Sequence, residues 1–348
     1  MRYKTGVLGH FGRGEVLLNG QTVKTEMLTD ELIRQYGREE IFISDTHGGK
    51  RKIFEAPFQA IGLLKKCKNI VVLPAQNGLR IYIPLLAAFS RFFGRRGLHY
   101  VVIGGWLADF VKDKKLLKRS LAHFDGIYVE TETMKAALEK QGFSNVFVMP
   151  NFKKISPLKP EELVFNDSVP YRLCTFSRVM KQKGIEDAVN AVKKANESME
   201  KTVFTLDIYG QVEAAETEWF ENLQKEFPEY IAYKGGVSAE KSVEVLKDCF
   251  ALLFPTRFFT EGIPGTVLDA FSAGVPVISS RWESFEDVID DGVTGVGYTF
   301  GNNEELQNIL FAAAKTPERF LKMKVNCLAA AEKYLPQSAT KVLTDNFI

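Results

Sequence analysis

The chain has 348 residues, of which 45 % are hydrophobic and 25 % are charged. This composition is ordinary for a globular protein in water, and the length favours two domains over one. The N-terminal residues contain no apolar run of signal-peptide length, and the longest apolar run, residues 81–89, is too short to span a bilayer. Four widely separated cysteines exclude a disulfide framework, so we expect a cytoplasmic protein.

The net charge of +2 hides a division along the chain. Residues 1–155 carry 25 Lys and Arg against 14 Asp and Glu, whereas residues 156–348 carry 20 against 29. A basic half and an acidic half imply different partners for the two halves.

Apolar strand-like runs alternate with helical stretches in both halves, which is typical of parallel, doubly wound sheets. The first half predicts strands at residues 5–9, 40–44, 69–73, 100–103, 126–129 and 146–149, with helices such as 22–36 and 132–141 between them. The second half predicts strands at 172–176, 203–209, 231–233, 249–254 and 275–279, and helices at 185–196, 214–227, 239–248, 265–273, 304–314, 317–334 and 337–346.

We therefore predict an α/β protein with two Rossmann-like, doubly wound domains that face each other across a cleft. The first domain covers residues 1–155 and the second covers 171–335. The proline-rich residues 156–170 form a linker, and the last helix, 336–348, packs back on the first domain.

The segment of residues 254–280 carries the strongest chemical pattern. A buried strand leads into a loop with Glu261 and Gly262, and a short helix then starts near Gly265 and carries Asp269. Asp269 shares its helix side with small residues, which leaves room for a ligand, and the free amides of a glycine-opened helix start suit an anion. The alternative is a strand–loop–helix unit whose acids are simply solvated.

Two cations follow the strand at residues 172–176, namely Arg178 and Lys183. Ligands of open α/β sheets bind beyond the carboxyl ends of strands, where these side chains are expected. Two surface cations beside a helix start would be electrostatically unfavourable, so a bound phosphate explains them better.

The first domain has glycines at positions 9, 12 and 14 after its first strand. Their order is not the dinucleotide fingerprint, which argues against a nicotinamide or flavin enzyme. The four histidines show no metal-ligand spacing and no Asp-x-Asp occurs, so we expect no metal; His99 and His123 flank apolar runs and are interpreted as structural.

Together these motifs resemble the family 4 retaining glycosyltransferases, which have the GT-B fold and belong to the glycosyl transferases group 1. Members carry an Arg and a Lys five residues apart and a Glu–seven residues–Glu element. That element reads here Glu261-Gly262-Ile263-Pro264, Asp269-Ala270 and Gly274-Val275-Pro276-Val277. Further matches are the turn at residues 290–295, the nucleotide-contacting segments 209–210 and 233–238, and the end of the first domain at 130–131 and 149–151.

The resemblance implies roles for particular residues. Glu261 would contact the donor sugar, Arg178 and Lys183 would stabilise the leaving diphosphate, and Asp269 would contact the ribose. The remaining donor-binding residues would be Gly262, Ile263, Pro264, Gly265, Thr266, Gly210 and Val237. The acceptor would approach past Gly12, Arg13, Gly14, Gln21, Thr22, Gly105 and Trp106. The family retains the anomeric configuration, and we expect no cofactor besides the nucleotide diphosphate sugar.

Two departures from the family pattern matter. The second acid is Asp269, which is one methylene shorter than the family Glu. The family often has Thr-His-Gly after the fourth strand, and the matching residues here are Ile103-Gly104-Gly105. The missing histidine removes a usual contact to the donor sugar.

The basic charge of the first half concentrates in two stretches, with aromatic residues interleaved in one of them. The cations are Arg91, Arg95, Arg96, Lys112, Lys114, Lys115, Lys118 and Arg119. We expect peripheral contact with an anionic membrane, where each cation contributes about 1 kcal/mol. The alternative is a pair of solvated helix faces, and no nucleic-acid-binding module is recognisable.

The sequence thus predicts a bacterial-type retaining glycosyltransferase that moves a sugar from a nucleotide diphosphate sugar to a lipid-linked or polysaccharide acceptor of capsule, exopolysaccharide or lipopolysaccharide synthesis. The alternative is a non-catalytic, sugar-nucleotide-binding partner of another transferase, which the glycine at position 104 motivates. A GT-B epimerase is a further possibility.

Overall fold

The computed structural model describes residues 2–12, 20–48 and 50–348, without the side chains of residues 50–53. The chain divides into two compact units. Unit 1 comprises Met1–Phe152 together with Pro336–Ile348, and unit 2 comprises Lys153–Leu335. The chain therefore returns to unit 1 for its last helix.

The described residues of unit 1 form a six-stranded parallel sheet in the order β2-β1-β3-β4-β5-β6. The strands are β1 Tyr3–Gly9, β2 Ile41–Asp45, β3 Cys67–Val72, β4 Gly97–Val101, β5 Gly126–Val129 and β6 Val146–Val148. The helices are α1 Gly20–Tyr36, α2 Lys50–Lys66, α3 Gln76–Phe89, α4 Leu107–Val111, α5 Lys115–Leu121, α6 Glu132–Glu139 and, from the end of the chain, α14 Pro336–Asp345.

Helices cover both faces of the unit 1 sheet, which is why its strands are nearly continuous apolar runs. Leu8 and Val72 face the cluster that α2, α3 and α5 complete. Their neighbours Val7 and Val71 point to the opposite face and pack with Leu343 of α14. The alternation follows from the two-residue period of a strand.

The described residues of unit 2 form a second six-stranded parallel sheet, in the order β12-β11-β10-β7-β8-β9. The strands are β7 Tyr171–Phe176, β8 Phe204–Tyr209, β9 Ile231–Gly235, β10 Ala251–Phe254, β11 Val277–Ser280 and β12 Gly295–Tyr298. The helices are α7 Ile185–Ser198, α8 Thr217–Gln224, α9 Ser242–Leu246, α10 Gly265–Ser272, α11 Phe285–Val288, α12 Asn303–Lys315 and α13 Pro317–Ala331.

The predicted α/β class with doubly wound parallel sheets is confirmed, and β12 is the strand that the sequence analysis misses. Its residues read Gly-Val-Gly-Tyr, so the apolar run that marks the other strands is absent. The helices predicted at 214–227 and 239–248 are shorter than expected, because each begins with a 3₁₀ turn before α8 and α9. In the part of the chain that the structure describes, no helix is both long and apolar enough to cross a membrane.

Candidate active site

The carboxyl ends of β7 and β10 lie side by side, because these two strands pair in parallel. The strand order changes direction here, since β8 and β9 lie on one side of β7 whereas β10, β11 and β12 lie on the other. Ligands of open α/β sheets bind beyond the strand ends at such a switch point. The loops after β7 and β10 are therefore the strongest candidate site in unit 2.

Lys183 and Glu261 form an ion pair between these two loops. The Lys183 ammonium donates a hydrogen bond to Glu261 Oε1, which also accepts one from Thr256 Oγ1 at 3.2 Å. Both charged side chains are only 16 % exposed. Because water is largely kept away, each charge interacts more strongly with a bound ligand than it would in solvent.

Close backbone packing and a second ion pair hold the two loops together. Gly184 has a φ of +69°, and a Cβ there would lie 1.9 Å from the carbonyl oxygen of Pro255. Arg257 donates two hydrogen bonds, of 2.7 and 2.8 Å, to Asp187 on α7. Its backbone amide bonds the loop after β7 at 2.9 Å. The position of Lys183 thus depends on residues that the sequence analysis does not identify.

Arg178 lies outside the Lys183–Glu261 pair. Its side chain is 61 % exposed, and Nη1 lies 3.0 Å from Glu213 Oε2 in the turn after β8. An exposed ion pair of this kind contributes little free energy, so Arg178 can exchange Glu213 for another anion at low cost. Of the two predicted cations, the structure brings Lys183 to Glu261 and leaves Arg178 on a different partner.

The start of α10 completes the polar groups at this edge. The backbone amides of Gly265 and Thr266 have no hydrogen-bond acceptor among the described residues, as is usual in a first helical turn. Gly262, Ile263 and Pro264 are buried, which fixes the segment that leads into the helix. Free amides and the positive end of the helix dipole suit an anionic group.

Asp269 differs from the expectation of a carboxylate with room beside it. It is 2 % exposed, and its Oδ2 accepts a hydrogen bond from the Lys153 ammonium at 2.6 Å. Burial raises the pKa of Asp269, and the Lys153 charge opposes that rise. The sequence analysis places Lys153 at the end of the first domain and gives it no role, because its partner is 116 positions away.

The two remaining predicted donor-binding positions lie at the ends of β8 and β9. Gly210 packs against the backbone of Ser177, the first residue after β7. Val237 packs into the apolar cluster that contains Tyr209 and Ile263. Both positions are therefore at the same edge of the unit 2 sheet as Lys183 and Glu261.

Unit 1 has its own cavity of about 790 Å³ at the carboxyl ends of its central strands. The lining residues are mostly uncharged polar and aromatic: His10, Gln21, Thr46, His47, Gly48, Pro74, Ala75, Gln76, Asn77, Gly78, Ile81, Tyr82 and Trp106. Amides, imidazoles and aromatic faces are groups that hydrogen-bond and stack on sugar rings. The cavity includes two residues of the predicted acceptor set, Gln21 and Trp106.

Two histidines meet at the wall of this cavity. His10 Nδ1 lies 2.9 Å from Thr22 Oγ1, and His10 Nε2 lies 3.0 Å from His47 Nδ1. In this contact one of the two nitrogens donates its proton and the other accepts it. Among the described residues, no group of three or more His, Cys, Asp and Glu side chains is placed to hold a metal ion.

The other predicted acceptor residues either belong to unit 1 without lining the cavity or fall outside the described residues. Trp106 Nε1 donates to the Ile103 carbonyl oxygen at 2.7 Å, and Gly105 precedes it in the turn before α4. Gly12 is buried in the loop after β1, whereas Arg13 and Gly14 lie outside the described residues. Gly104 has a φ of +78°, so a histidine at this position would be strained in this backbone.

Residues 170–314 match the family model of the glycosyl transferases group 1. The matched residues all lie in unit 2. Among curated proteins, the chain is 29 % identical over 133 residues to the "uncharacterized 41.2 kDa protein in cps region" of Klebsiella pneumoniae, covering 38 % of this chain and 34 % of that one. It is 26 % identical over 141 residues to the uncharacterized glycosyltransferase MJ1069 of Methanocaldococcus jannaschii, covering 39 % and 34 %. The chain thus spans about a third of the length of these relatives.

Solved glycosyltransferase structures share the fold over nearly the whole length of this chain. HepE of Anabaena in complex with UDP superposes with a TM-score of 0.73 at 12 % identity, covering 98 % of both chains. The lipopolysaccharide outer core galactosyltransferase WaaB superposes with a TM-score of 0.73 at 15 % identity, covering 99 % of this chain and 98 % of the other. The predicted GT-B fold and the resemblance to the group 1 family are confirmed.

Proposed function

We propose that the chain is a retaining glycosyltransferase that moves a sugar from a nucleotide diphosphate sugar to a lipid-linked or polysaccharide acceptor. The observation that carries this proposal is the Lys183–Glu261 pair beside the free amides of Gly265 and Thr266. These groups offer positive charge and hydrogen-bond donors next to one carboxylate, at the switch point of the sheet. A sugar diphosphate has the matching parts, an anionic leaving group and a neutral ring.

In the proposed reaction, the bond between the sugar C1 and the diphosphate oxygen breaks, and the diphosphate leaves with the electron pair. The acceptor hydroxyl oxygen bonds C1 on the same face, and its proton passes to a donor phosphate oxygen. Lys183, the α10 amides and a reoriented Arg178 stabilise the charge that develops on the leaving group. Glu261 holds the sugar ring, and Gly210, Val237 and Ile263 surround the nucleotide.

No metal is needed in this scheme, because protein cations neutralise the diphosphate. Metal independence and retention are part of the proposal and rest on the resemblance of residues 178–183 and 261–277. The cps-region relative and the lipopolysaccharide transferase WaaB support a role in surface polysaccharide synthesis. The Anabaena HepE structures with UDP and with UDP-glucose support a nucleotide sugar as donor.

We further propose that the unit 1 cavity binds the acceptor sugar and that unit 1 contacts an anionic membrane. Helices α2, α3 and α5 pack side by side. Phe58 lies exposed on α2, Phe92 in the turn after α3, and Leu116 on α5. Exposed cations accompany them at positions 91, 95, 112, 115 and 119. Arg96 and Lys114, in contrast, donate hydrogen bonds to backbone carbonyl oxygens and are less available.

The test is a transfer and hydrolysis assay of the full chain with UDP-, GDP- and dTDP-sugars, with and without EDTA, and with the product's anomeric configuration read by NMR. We expect turnover of one donor with retention, undiminished by EDTA. Glu261→Ala and Lys183→Ala should each lower turnover at least about 100-fold. Glu244→Ala and Lys247→Ala, which remove an exposed Lys–Glu pair of the same unit, should leave it unchanged.

Full activity in both Glu261→Ala and Lys183→Ala would overturn the assigned roles. A chain that binds UDP but turns over no donor, alone or with acceptors, would favour the non-catalytic binding partner instead. Conversion of the donor sugar without any acceptor would favour an epimerase.

A further inference from the structure

Lys153 and Asp269 form a buried ion pair in which the two members differ in accessibility. The Lys153 side chain is 21 % exposed, whereas the Asp269 side chain is 3 % exposed. Their contact is short, at 2.6 Å between Nζ and Oδ2. The lysine is therefore the member of the pair that a ligand from solvent can reach.

The ammonium lies beside the first turn of α10. A Cβ at Gly265 would be 3.6 Å from Lys153 Cδ and 3.9 Å from Lys153 Nζ, so the lysine runs along the side of this residue. The Thr266 hydroxyl, on a residue that is 9 % exposed, has no hydrogen-bond partner. Lys153 thus adds a full positive charge to a helix start that already has free donors.

Asp269 is placed to orient the lysine, and its carboxylate is almost closed to solvent. Its Oδ1 is buried without a hydrogen-bond partner, since the nearby Ser242 hydroxyl donates its one proton to the Ala239 carbonyl oxygen at 2.9 Å. Its other oxygen is used by Lys153. One of the three ammonium protons is spent on this contact, and two remain for another acceptor.

We infer that Lys153 binds the donor nucleotide at its phosphate, and that Asp269 is a positioning residue that holds the Lys153 ammonium at the α10 start. This inference rests on the proposed function and names a further contact in the same site. Phosphate is favoured over a neutral hydroxyl because the ammonium and the amides of Gly265 and Thr266 are all donors and one is charged.

The experiment measures the dissociation constants of UDP, with GDP and dTDP in parallel, by calorimetry on the full chain. We expect Lys153→Met to raise the dissociation constant of the nucleoside diphosphate about ten- to 100-fold, because one charge-assisted contact is lost. Lys153→Arg should retain most of the affinity, because it keeps the charge. Lys154→Met is the matched control, since the neighbouring lysine is exposed, and it should bind like the wild type.

A second variant keeps the test valid if Lys153→Met folds poorly, because that change leaves the Asp269 carboxylate buried without a counter-charge. The double variant Lys153→Met with Asp269→Asn removes both charges. It should bind UDP as weakly as Lys153→Met and no more weakly, since Asp269 acts through Lys153. A clear additional loss would assign Asp269 a contact of its own and overturn the positioning role.

The failures of the two proposals are distinguishable. A wild-type chain that binds none of the three nucleotides contradicts the proposed function. If the wild-type chain and Lys153→Met bind UDP with equal affinity, whatever the melting temperature of the variant, only the role of Lys153 is contradicted. An equal loss of affinity for uridine and for UDP in Lys153→Met would place the contact on the ribose and overturn the phosphate assignment.

Discussion

The two sheets of this chain have the same architecture and differ in what lies at their carboxyl edges. In each sheet of six parallel strands, the strand order reverses at the first strand of the unit, β1 in unit 1 and β7 in unit 2. The unit 2 edge carries ion pairs with partly available cations, Lys183 with Glu261 and Lys153 with Asp269. The described lining of the unit 1 cavity contains imidazoles, amides and aromatic rings and no Lys, Arg, Asp or Glu.

This difference separates what the fold decides from what the residues decide. A parallel sheet places loops at its carboxyl edge, whatever their sequence. Cations and free amides then suit a diphosphate, whereas neutral hydrogen-bonding groups with an aromatic face suit a sugar. We therefore expect changes in the two units to affect different properties of the protein.

The largest expected difference concerns acid stability, because all four histidines belong to unit 1. His99 on β4 is fully buried and its Nδ1 lies 3.1 Å from the Tyr128 hydroxyl. Burial lowers the pKa of His99 from 6.5 to about 4, against a smaller opposing effect of Asp125. The unfolded chain thus binds the proton more readily, so unit 1 has its full stability above pH 6.5 and loses it as the pH falls towards 4.

The loss should be on the order of 3 kcal/mol across this window, and His99→Gln should abolish most of it. The measurement is urea unfolding at several pH values. Hydrogen exchange is the readout, in peptides from β4 and β5 for unit 1 and from β7 and β8 for unit 2. His123→Gln is the control, because His123 is exposed. The same pH dependence in wild type and His99→Gln would show that the buried imidazole is not its cause.

A smaller effect is expected from the aromatic wall of the unit 1 cavity. Trp106→Ala should raise the acceptor KM about tenfold and leave UDP affinity unchanged, because the ring lines the cavity proposed to bind the acceptor and is not part of the unit 2 edge. Trp219→Ala in unit 2, also half-buried, is the matched variant and should leave the acceptor KM unchanged. A Trp106→Ala variant that loses UDP affinity instead would remove the division of labour between the units.

Much of the fold could be predicted, because a buried parallel strand needs an apolar run, and the runs at β1, β5, β7 and β10 are plain. The nearness of Lys183 and Glu261 could also be anticipated, since both follow strands and such loops meet at one edge. Strand β12 could not be predicted, because it is held by pairing with β11 and its own residues have little strand preference.

The ion pairs of the candidate site could not be predicted, because their partners are distant in the sequence. Lys153 and Asp269 are 116 positions apart in the sequence, and Arg257 and Asp187 are 70 positions apart. Nothing in the local pattern of either residue indicates the other, because the contact follows from the packing of whole elements. Periodicity therefore locates the edge of the sheet, and only the three-dimensional structure tells which charges there are already paired.

The smallest expected effect tests whether the proposed membrane contact is made by unit 1 alone. Phe92 is 83 % exposed beside Arg91 and Arg95, whereas Phe165 of unit 2 is 52 % exposed in an acidic part of the chain. Phe92→Ser should lower binding to vesicles containing anionic lipid about fivefold, because one apolar anchor is lost while the cations remain. Phe165→Ser should bind as the wild type does, in a flotation assay at low and high salt.

Higher salt should weaken wild-type binding, since it screens the cations at positions 91, 95, 112, 115 and 119. Equal binding by both variants would mean that Phe92 does not enter the membrane, and vesicle binding insensitive to salt would remove the role of the basic stretch.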